Sequence, residues 1–364
     1  MKKKLCFVVD LFPPKHKGGA ETLALELSKV FSKYYDVHVV TKWHERLNEN
    51  ENLGFKIYGV KIKSKLFGIK FFETINNFIT EIKKIDPDII YARPFTPSGF
   101  ISTSYSKKYA VPVVTQCDGG DIRPGWLNPY EKLIVKKVIK DSTRIISSSE
   151  EMKNIIARDF ERKDVVMIPN GINLKEFNTA KPMILKYPKP RILFVGRMDE
   201  MKGTEYLIKA FLDIKYKTKG SLLLIGNGPL KNELSLKYEN NKNVVFLGAI
   251  DHKYIASYMK ASDIFVLPSV DEAMPVVLME ALASGLPIVA SKVGGIPELI
   301  KKENGILTKP RNTKSISDAI LKLLKNKKVM VAMSKRNKEK VKLKSWETVC
   351  KSYKRIFDSL INKG

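Results

Sequence analysis

Ligands of open parallel sheets bind in the loops at the carboxyl ends of the strands, so chemistry is sought there first. In the second half of the sequence an apolar run at 192–195 leads into Gly196-Arg197-Met198-Asp199-Glu200-Met201-Lys202-Gly203, ahead of a helix expected to begin near Thr204. Arg197 and Lys202 are therefore one loop apart. A planar guanidinium fork and a lysine point charge can grip one diphosphate from two sides. A second apolar run at 264–267 leads into Pro268-Ser269-Val270-Asp271-Glu272-Ala273-Met274-Pro275, followed by a helical pattern that carries Val277, Leu278 and Ala281 and stops at Gly285. Pro275 suits the first turn of that helix, where a missing N–H costs nothing. The N–H groups near residues 273–277 are then free to face an anion.

Glu272 lies just before this helix and Glu280 more than a turn inside it. A carboxylate accepts two hydroxyl hydrogen bonds, the common way of holding a ribose. Two cations beside two such carboxylates suit a diphosphate flanked by polyhydroxyl groups. Taken singly, each residue has a plainer reading: Arg197 and Lys202 as surface charges, Glu272 as a helix cap, Glu280 as a structural ion pair.

The elements that must position these residues follow from the alternation of apolar runs with helical stretches. Strand-like runs fall at 5–9, 37–40, 55–60, 89–91, 111–115, 144–147 and 165–168, and again at 191–195, 221–225, 244–247, 264–267, 288–290 and 305–308. Such alternation implies parallel sheets wrapped by helices, an α/β fold. Between the two series, 173–190 breaks the rhythm with Pro182, Pro188 and Pro190. The chain of 364 residues, 44% hydrophobic, is long enough for two cores. The expected plan is a first domain at 1–178, a linker at 179–190, a second domain at 191–345 and a last amphipathic helix at 346–364. No fixed-period repeat indicates a solenoid.

Composition excludes several classes. No apolar run approaches the roughly 20 residues that cross a bilayer. The opening Met1-Lys2-Lys3-Lys4 superficially suggests a signal peptide, but Asp10 interrupts the apolar stretch too early, and a first strand is expected instead. Cys6, Cys117 and Cys350 are odd in number and lack paired spacing, which fits a reducing cytoplasm. The net charge of +27 implies an anionic partner, either a membrane surface or a phosphate-rich substrate, although solvated helix faces would also account for many of the lysines. The excess gathers towards the C-terminus, where residues 315–364 hold fourteen Lys or Arg against four Asp or Glu.

With these residues in hand, the sequence resembles the large family of retaining nucleotide-sugar glycosyltransferases with the GT-B fold, known as group 1 or family 4. The family's Glu-x7-Glu motif matches Glu272 and Glu280, and its Gly-Arg…Lys-Gly motif matches Gly196, Arg197, Lys202 and Gly203. Further matches are Ile225-Gly226-Asn227-Gly228-Pro229, Phe246-Leu247-Gly248, Gly294-Gly295-Ile296-Pro297-Glu298, and in the first half Gly18-Gly19-Ala20-Glu21 and Ile168-Pro169-Asn170-Gly171-Ile172. They occur in the family's order over most of the chain.

The resemblance implies two Rossmann-like doubly wound domains facing across a cleft, with the last helix returning to the first domain. The first domain would bind the acceptor and the second a UDP- or GDP-sugar. Arg197 and Lys202 would neutralise the donor diphosphate, and Glu280 would bind ribose. Glu272, with N–H groups of the stretch Ala273, Met274, Pro275 and Val276, would orient the hexose and the α-phosphate. Gly226, Asn227, Gly228 and the backbone near Ile250 would frame the base, while Gly19 would let the first domain approach the diphosphate closely. One departure stands out: where the family commonly has a histidine that contacts the sugar, the run here is Gln116-Cys117-Asp118-Gly119-Gly120-Asp121. Asp118 can accept from a hydroxyl but cannot donate as imidazole does.

Charge flow then suggests a mechanism. Breaking the sugar–phosphate bond builds negative charge on the leaving oxygen, which fixed cations and helix-end N–H groups stabilise without a metal or other cofactor. The resemblance implies retention of anomeric configuration, with the acceptor attacking from the leaving group's own face. Other signals carry less. Asp86-Pro87-Asp88 has a metal-binding form but reads as a turn. No three-glycine dinucleotide fingerprint is present, and His16, His38, His44 and His252 show no zinc-ligand spacing. Residues 61–72 and 130–140 of the first domain mix lysines with apolar side chains, which suggests a lipid-linked or cell-envelope glycan acceptor and a peripheral position on an anionic membrane, unless Phe71 and Phe72 are packed in the core. Arg93 and Arg123 are further acceptor candidates in loops. Binding of nucleic acid is a competing account of the charge, but no recognisable module or aromatic platform accompanies it. A nonenzymatic sugar-nucleotide sensor is another, separable by turnover.

Overall fold

The structure, a computed structural model, describes residues 2–14, 19–47, 53–64, 66–117, 119, 121–123 and 127–362. The chain divides into two compact units, one of residues 1–171 with 346–364 and one of residues 172–345. The first unit contains β1 (Lys4–Val9), α1 (Gly19–Phe31), β2 (Asp36–Lys42), β3 (Lys56–Val60), α2 (Phe67–Ile85), β4 (Ile89–Arg93), α3 (Phe100–Tyr109), β5 (Val113–Cys117), α4 (Pro129–Asp141), β6 (Arg144–Ser147), α5 (Glu150–Asp159) and β7 (Val165–Met167). Its sheet runs β3-β2-β1-β4-β5-β6-β7, and every pairing is parallel. Central strands are apolar throughout because helices cover both faces: all five residues of β4 and of β5 are buried.

The second unit contains α6 (Leu174–Thr179), β8 (Arg191–Val195), α7 (Thr204–Thr218), β9 (Ser221–Ile225), α8 (Lys231–Lys237), β10 (Val244–Gly248), α9 (His252–Lys260), β11 (Ile264–Leu267), α10 (Val276–Ser284), β12 (Ile288–Ser291), α11 (Ile296–Leu299), β13 (Gly305–Thr308), α12 (Thr313–Leu324) and α13 (Lys327–Lys342). Its parallel sheet runs β10-β9-β8-β11-β12-β13. The order reverses between β8 and β11, so the connections leaving these two adjacent strands depart to opposite sides and open a crevice at their carboxyl ends. Those are the strands that precede Arg197 and Glu272.

The proline-rich segment 179–190 packs on the second unit. Met183 N–H donates to the Ser257 carbonyl at 3.0 Å, and the Arg191 guanidinium reaches the carbonyls of Leu185 at 2.7 Å and Tyr187 at 2.8 Å. The last helix, α14 (Trp346–Ile361), belongs to the first unit. Trp346, Val349, Cys350, Tyr353, Phe357 and Leu360 recur at helical spacing and are all buried. Phe357 meets Phe31 at 5.4 Å and Tyr91 at 5.6 Å between ring centroids. The Tyr353 hydroxyl donates to Gln116 Oε1 at 2.7 Å, an oxygen that also accepts from Tyr91. The helix is thus anchored by apolar burial together with satisfied buried hydroxyls.

Three smaller expectations meet the structure here. Asp86 caps the C-terminus of α2 in a left-handed conformation, and Asp88 takes the Lys4 N–H at 2.8 Å and the Lys3 ammonium at 2.9 Å, so this pair forms a helix-to-strand turn. Arg93 is not a loop residue: it ends β4 and is buried. Phe72 is not core-packed but 67% exposed, whereas Phe71 is half-buried with its ring 6.1 Å from Phe100.

Candidate active site

The carboxyl-end loops of the second sheet are bonded to one another. Gly196 N–H donates to the Ile225 carbonyl at 3.0 Å, Met198 N–H to Asn227 at 2.8 Å, and Gly226 N–H to Gly248 at 2.8 Å. Loops after β8, β9 and β10 thereby form one surface. Gly226 has φ +137° and its α-carbon lies against the Gly196 carbonyl, so no side chain could stand there. Asn227 is exposed and its own Oδ1 accepts the Gly228 N–H at 2.9 Å, while Ile250 is half-buried against the core.

Arg197 and Lys202 are organised by a residue between them. Asp199, only 8% exposed, accepts the Lys202 N–H at 2.9 Å through Oδ1 and the Arg197 Nε–H at 2.6 Å through Oδ2. The Arg197 side chain is 70% exposed, so exchanging Asp199 for a phosphate oxygen would cost it little desolvation. The Lys202 ammonium pairs directly with Glu272 Oε1, an oxygen that also accepts from the buried Ser269 hydroxyl at 2.9 Å. Loops after β8 and β11 are drawn together by Val270 N–H donating to the Met201 carbonyl at 2.7 Å. Gly203 permits the approach: its φ is +63° and it abuts the Pro268 carbonyl.

Helix α10 begins at Val276 with Pro275 as N-cap, in extended conformation and without a side-chain cap. Proline has no side-chain oxygen to offer the first helical amides, so this helix end retains its positive character. Ala273 is held by Gly295, whose N–H donates to the Ala273 carbonyl at 2.9 Å, and Met274 is buried beside them. Glu280, 6% exposed, projects from the second turn of α10 and its Oε1 accepts from His252 Nε2 at 2.7 Å.

The structure therefore brings Arg197, Lys202, Glu272 and the residues 273–276 onto neighbouring loops of one rim, with Glu280 on the helix that leaves it. Gly19 lies in the first unit as the opening residue of α1. Asp118 lies outside the described residues. Sequence reasoning missed Asp199, Ser269 and His252. Spacing offered faint signals for two of them: Asp199 sits three residues before the N–H it caps, and Ser269 three before Glu272. His252 gave none, since its partner is 28 residues away.

Residues 178–340 match the model for glycosyl transferases group 1, and residues 17–176 match that for glycosyltransferase family 4. The fold is the GT-B fold. The chain belongs to the group 1 glycosyltransferases. It is 29% identical to an uncharacterized glycosyltransferase of Methanocaldococcus jannaschii, over 99% of this chain and 100% of that one. It is 28% identical to the Escherichia coli UDP-Gal:α-D-GlcNAc-diphosphoundecaprenol α-1,3-galactosyltransferase, over 89% of each. In fold it is similar to Anabaena HepE solved with UDP-glucose, with a TM-score of 0.82 at 17% identity, covering 98% of this chain and 100% of that one.

Proposed function

We propose that this enzyme transfers a hexose from a UDP- or GDP-sugar to a glycan or lipid-linked acceptor, with retention of anomeric configuration and without a metal. The observation that carries the donor side is the Lys202–Glu272 pair at the β8/β11 crevice, beside Arg197 and the uncapped start of α10. When the bond between the anomeric carbon and phosphate breaks, charge develops on the leaving diphosphate oxygen. Arg197, Lys202 and the first amides of α10 stabilise it electrostatically. Glu272 then holds hexose hydroxyls, Glu280 the ribose, and Gly226, Asn227, Gly228 and Ile250 the base. Gly19 keeps the role towards the diphosphate that the resemblance implies, and Asp118, where the family commonly has histidine, accepts from a sugar hydroxyl.

Supporting the UDP alternative and a lipid-linked acceptor are the donor and acceptor in the name of the E. coli relative. Thermal stabilisation by UDP against GDP decides the base. Hydrolysis of a panel of UDP- and GDP-sugars should then be slow and measurable, unaffected by EDTA, and depressed by Arg197→Ala or Glu272→Gln. A panel with no turnover by the native protein would leave a sensor in place of an enzyme.

A specific observation favours peripheral membrane association. Leu66, Ile69 and Phe72 are exposed at the amino end of α2, and Tyr130 and Leu133 on α4, where Lys132, Lys136, Lys137 and Lys140 are exposed too. Among the described residues no helix is long and apolar enough to cross a membrane. Exposed apolar side chains on segments that also carry exposed lysines suit the headgroup boundary of an anionic leaflet, with about 1 kcal/mol for each well-placed cation. Flotation with phosphatidylglycerol vesicles should carry the protein, and Phe72→Ser with Leu133→Ser should release it. Equal flotation with neutral vesicles, or none with either, would refute the association.

A further inference from the structure

Helices α6, α9 and α10 meet in the second unit, and at their meeting point three titratable side chains form a string. His252 Nε2 lies 2.7 Å from Glu280 Oε1, and His252 Nδ1 lies 3.5 Å from Glu176 Oε1. The side chain of Glu280 is 8% exposed and that of His252 39%. Asp251 N-caps α9 through the Lys253 N–H at 3.3 Å, which fixes His252 as the first helical residue.

We propose that His252 is a positioning residue of the donor site, holding the Glu280 carboxylate so that its second oxygen meets the ribose hydroxyls. This rests on the assignment of Glu280 to ribose given above. A buried carboxylate is stable only when its charge is hydrogen-bonded, and a carboxylate that also has to receive a ligand needs a donor that leaves part of it open. An Nε2–H of His252 directed at Oε1 meets both requirements. It sets the side-chain torsion of Glu280 and leaves Oε2 with its lone pairs for two hydroxyls. Glu176 Oε1 faces the ring's other nitrogen at 3.5 Å, a contact that becomes an ion pair only when the imidazole carries both protons. The chemistry recognised is the cis-diol of a nucleoside diphosphate, and the arrangement acts on binding, not on the bond-breaking step.

The test compares affinities of UDP or GDP, whichever stabilises the protein more, with those of its 2′-deoxy and 3′-deoxy forms. A hydrogen bond to a charged group is worth roughly 10- to 100-fold in affinity, which sets the discrimination expected of the native enzyme. Glutamine places an amide nitrogen where Nε2 stands, whereas asparagine places one where Nδ1 stands. His252→Gln should therefore keep the discrimination between ribose and deoxyribose, while His252→Asn and His252→Ala should lose most of it. The loss should appear in the donor KM with kcat nearly unchanged. Glu280→Gln separates the two layers of inference. If neither the native protein nor Glu280→Gln tells ribose from deoxyribose, the ribose assignment fails and the role of His252 with it. If discrimination depends on Glu280 but survives in both His252→Asn and His252→Ala, the role of His252 alone is overturned. Melting temperatures of the unliganded variants accompany each comparison, and His252→Asn, which keeps a polar side chain at the helix junction, serves should alanine destabilise it.

Discussion

Replacing Gly203 by alanine probes the contact on which the cation–carboxylate pair depends. Gly203 has φ +63°, and a β-carbon built there would come to 3.2 Å from the Pro268 carbonyl carbon and closer still to its oxygen. A left-handed conformation costs a non-glycine residue roughly 1–2 kcal/mol. Relief of the overlap requires the loops after β8 and β11 to part, a packing strain of about 1–3 kcal/mol. Together these effects amount to about 2–5 kcal/mol, which for a unit of this size lowers the melting temperature by roughly 4–20 °C. The functional consequence follows from geometry: Lys202 precedes the glycine and pairs with Glu272 across the parted loops. A displacement near 1 Å in such a site costs on the order of a hundredfold in rate. Differential scanning fluorimetry with and without UDP or GDP, together with donor hydrolysis, measures both effects. Gly68→Ala is the control: Gly68 lies in α2 with nothing within 4 Å of a built β-carbon, so the variant should melt no lower than the native protein. Unchanged melting and unchanged hydrolysis in Gly203→Ala would refute the claim that this backbone contact sets the Lys202–Glu272 pair.

Lys202→Met should reduce donor turnover by about 10²–10³-fold, as expected for a transition-state charge partner, and should lower the melting temperature as well, since it removes the cation paired with the Glu272 carboxylate, whose side chain is 9% exposed; a loss of turnover under threefold would count against the catalytic role. Glu205 is held well below the ordinary carboxylate value of 4.5, at about 2, first by the hydrogen bond from Lys237 and then by Lys209 and Tyr238. Its stabilisation is therefore complete above pH 4.5 and is lost as the pH falls towards 2. Since its side chain is about a third exposed (32%), screening leaves about 1–2 kcal/mol. The gap in urea midpoint between the native protein and Glu205→Gln should close over that window, and a gap independent of pH would contradict the assignment. Phe357→Ala should cost about 3–5 kcal/mol by opening a cavity among Phe31, Tyr91 and Tyr353, read as a fall in urea midpoint. All three cysteines are buried and burial pushes the Cys350 thiol up to about 12, so a thiol reagent should label the native protein only after unfolding.

Strand positions were legible because a parallel strand covered on both faces must be apolar along its whole length. The runs at 5–9, 191–195 and 264–267 fall on β1, β8 and β11, and the apolar stripe of 346–361 marks α14. The placing of chemistry at strand ends was legible for the same reason, since a polar loop after an apolar run has only the rim of the sheet to occupy. Arg197, Lys202, Glu272 and Glu280 could be singled out by local spacing and by resemblance. What each of them touches could not.

That information belongs to strand order and helix contacts, which join residues distant in the chain. The adjacency of β8 and β11 brings Lys202 to Glu272 across 70 positions, and the meeting of α9 with α10 brings His252 to Glu280 across 28. A histidine without ligand spacing looked uninformative because its role is set by a partner on another helix. Residue types and apolar periodicity fixed which groups reach the sheet's rim. Only the tertiary structure decided their pairing, because a hydrogen bond depends on separation in space and carries no trace of separation along the chain.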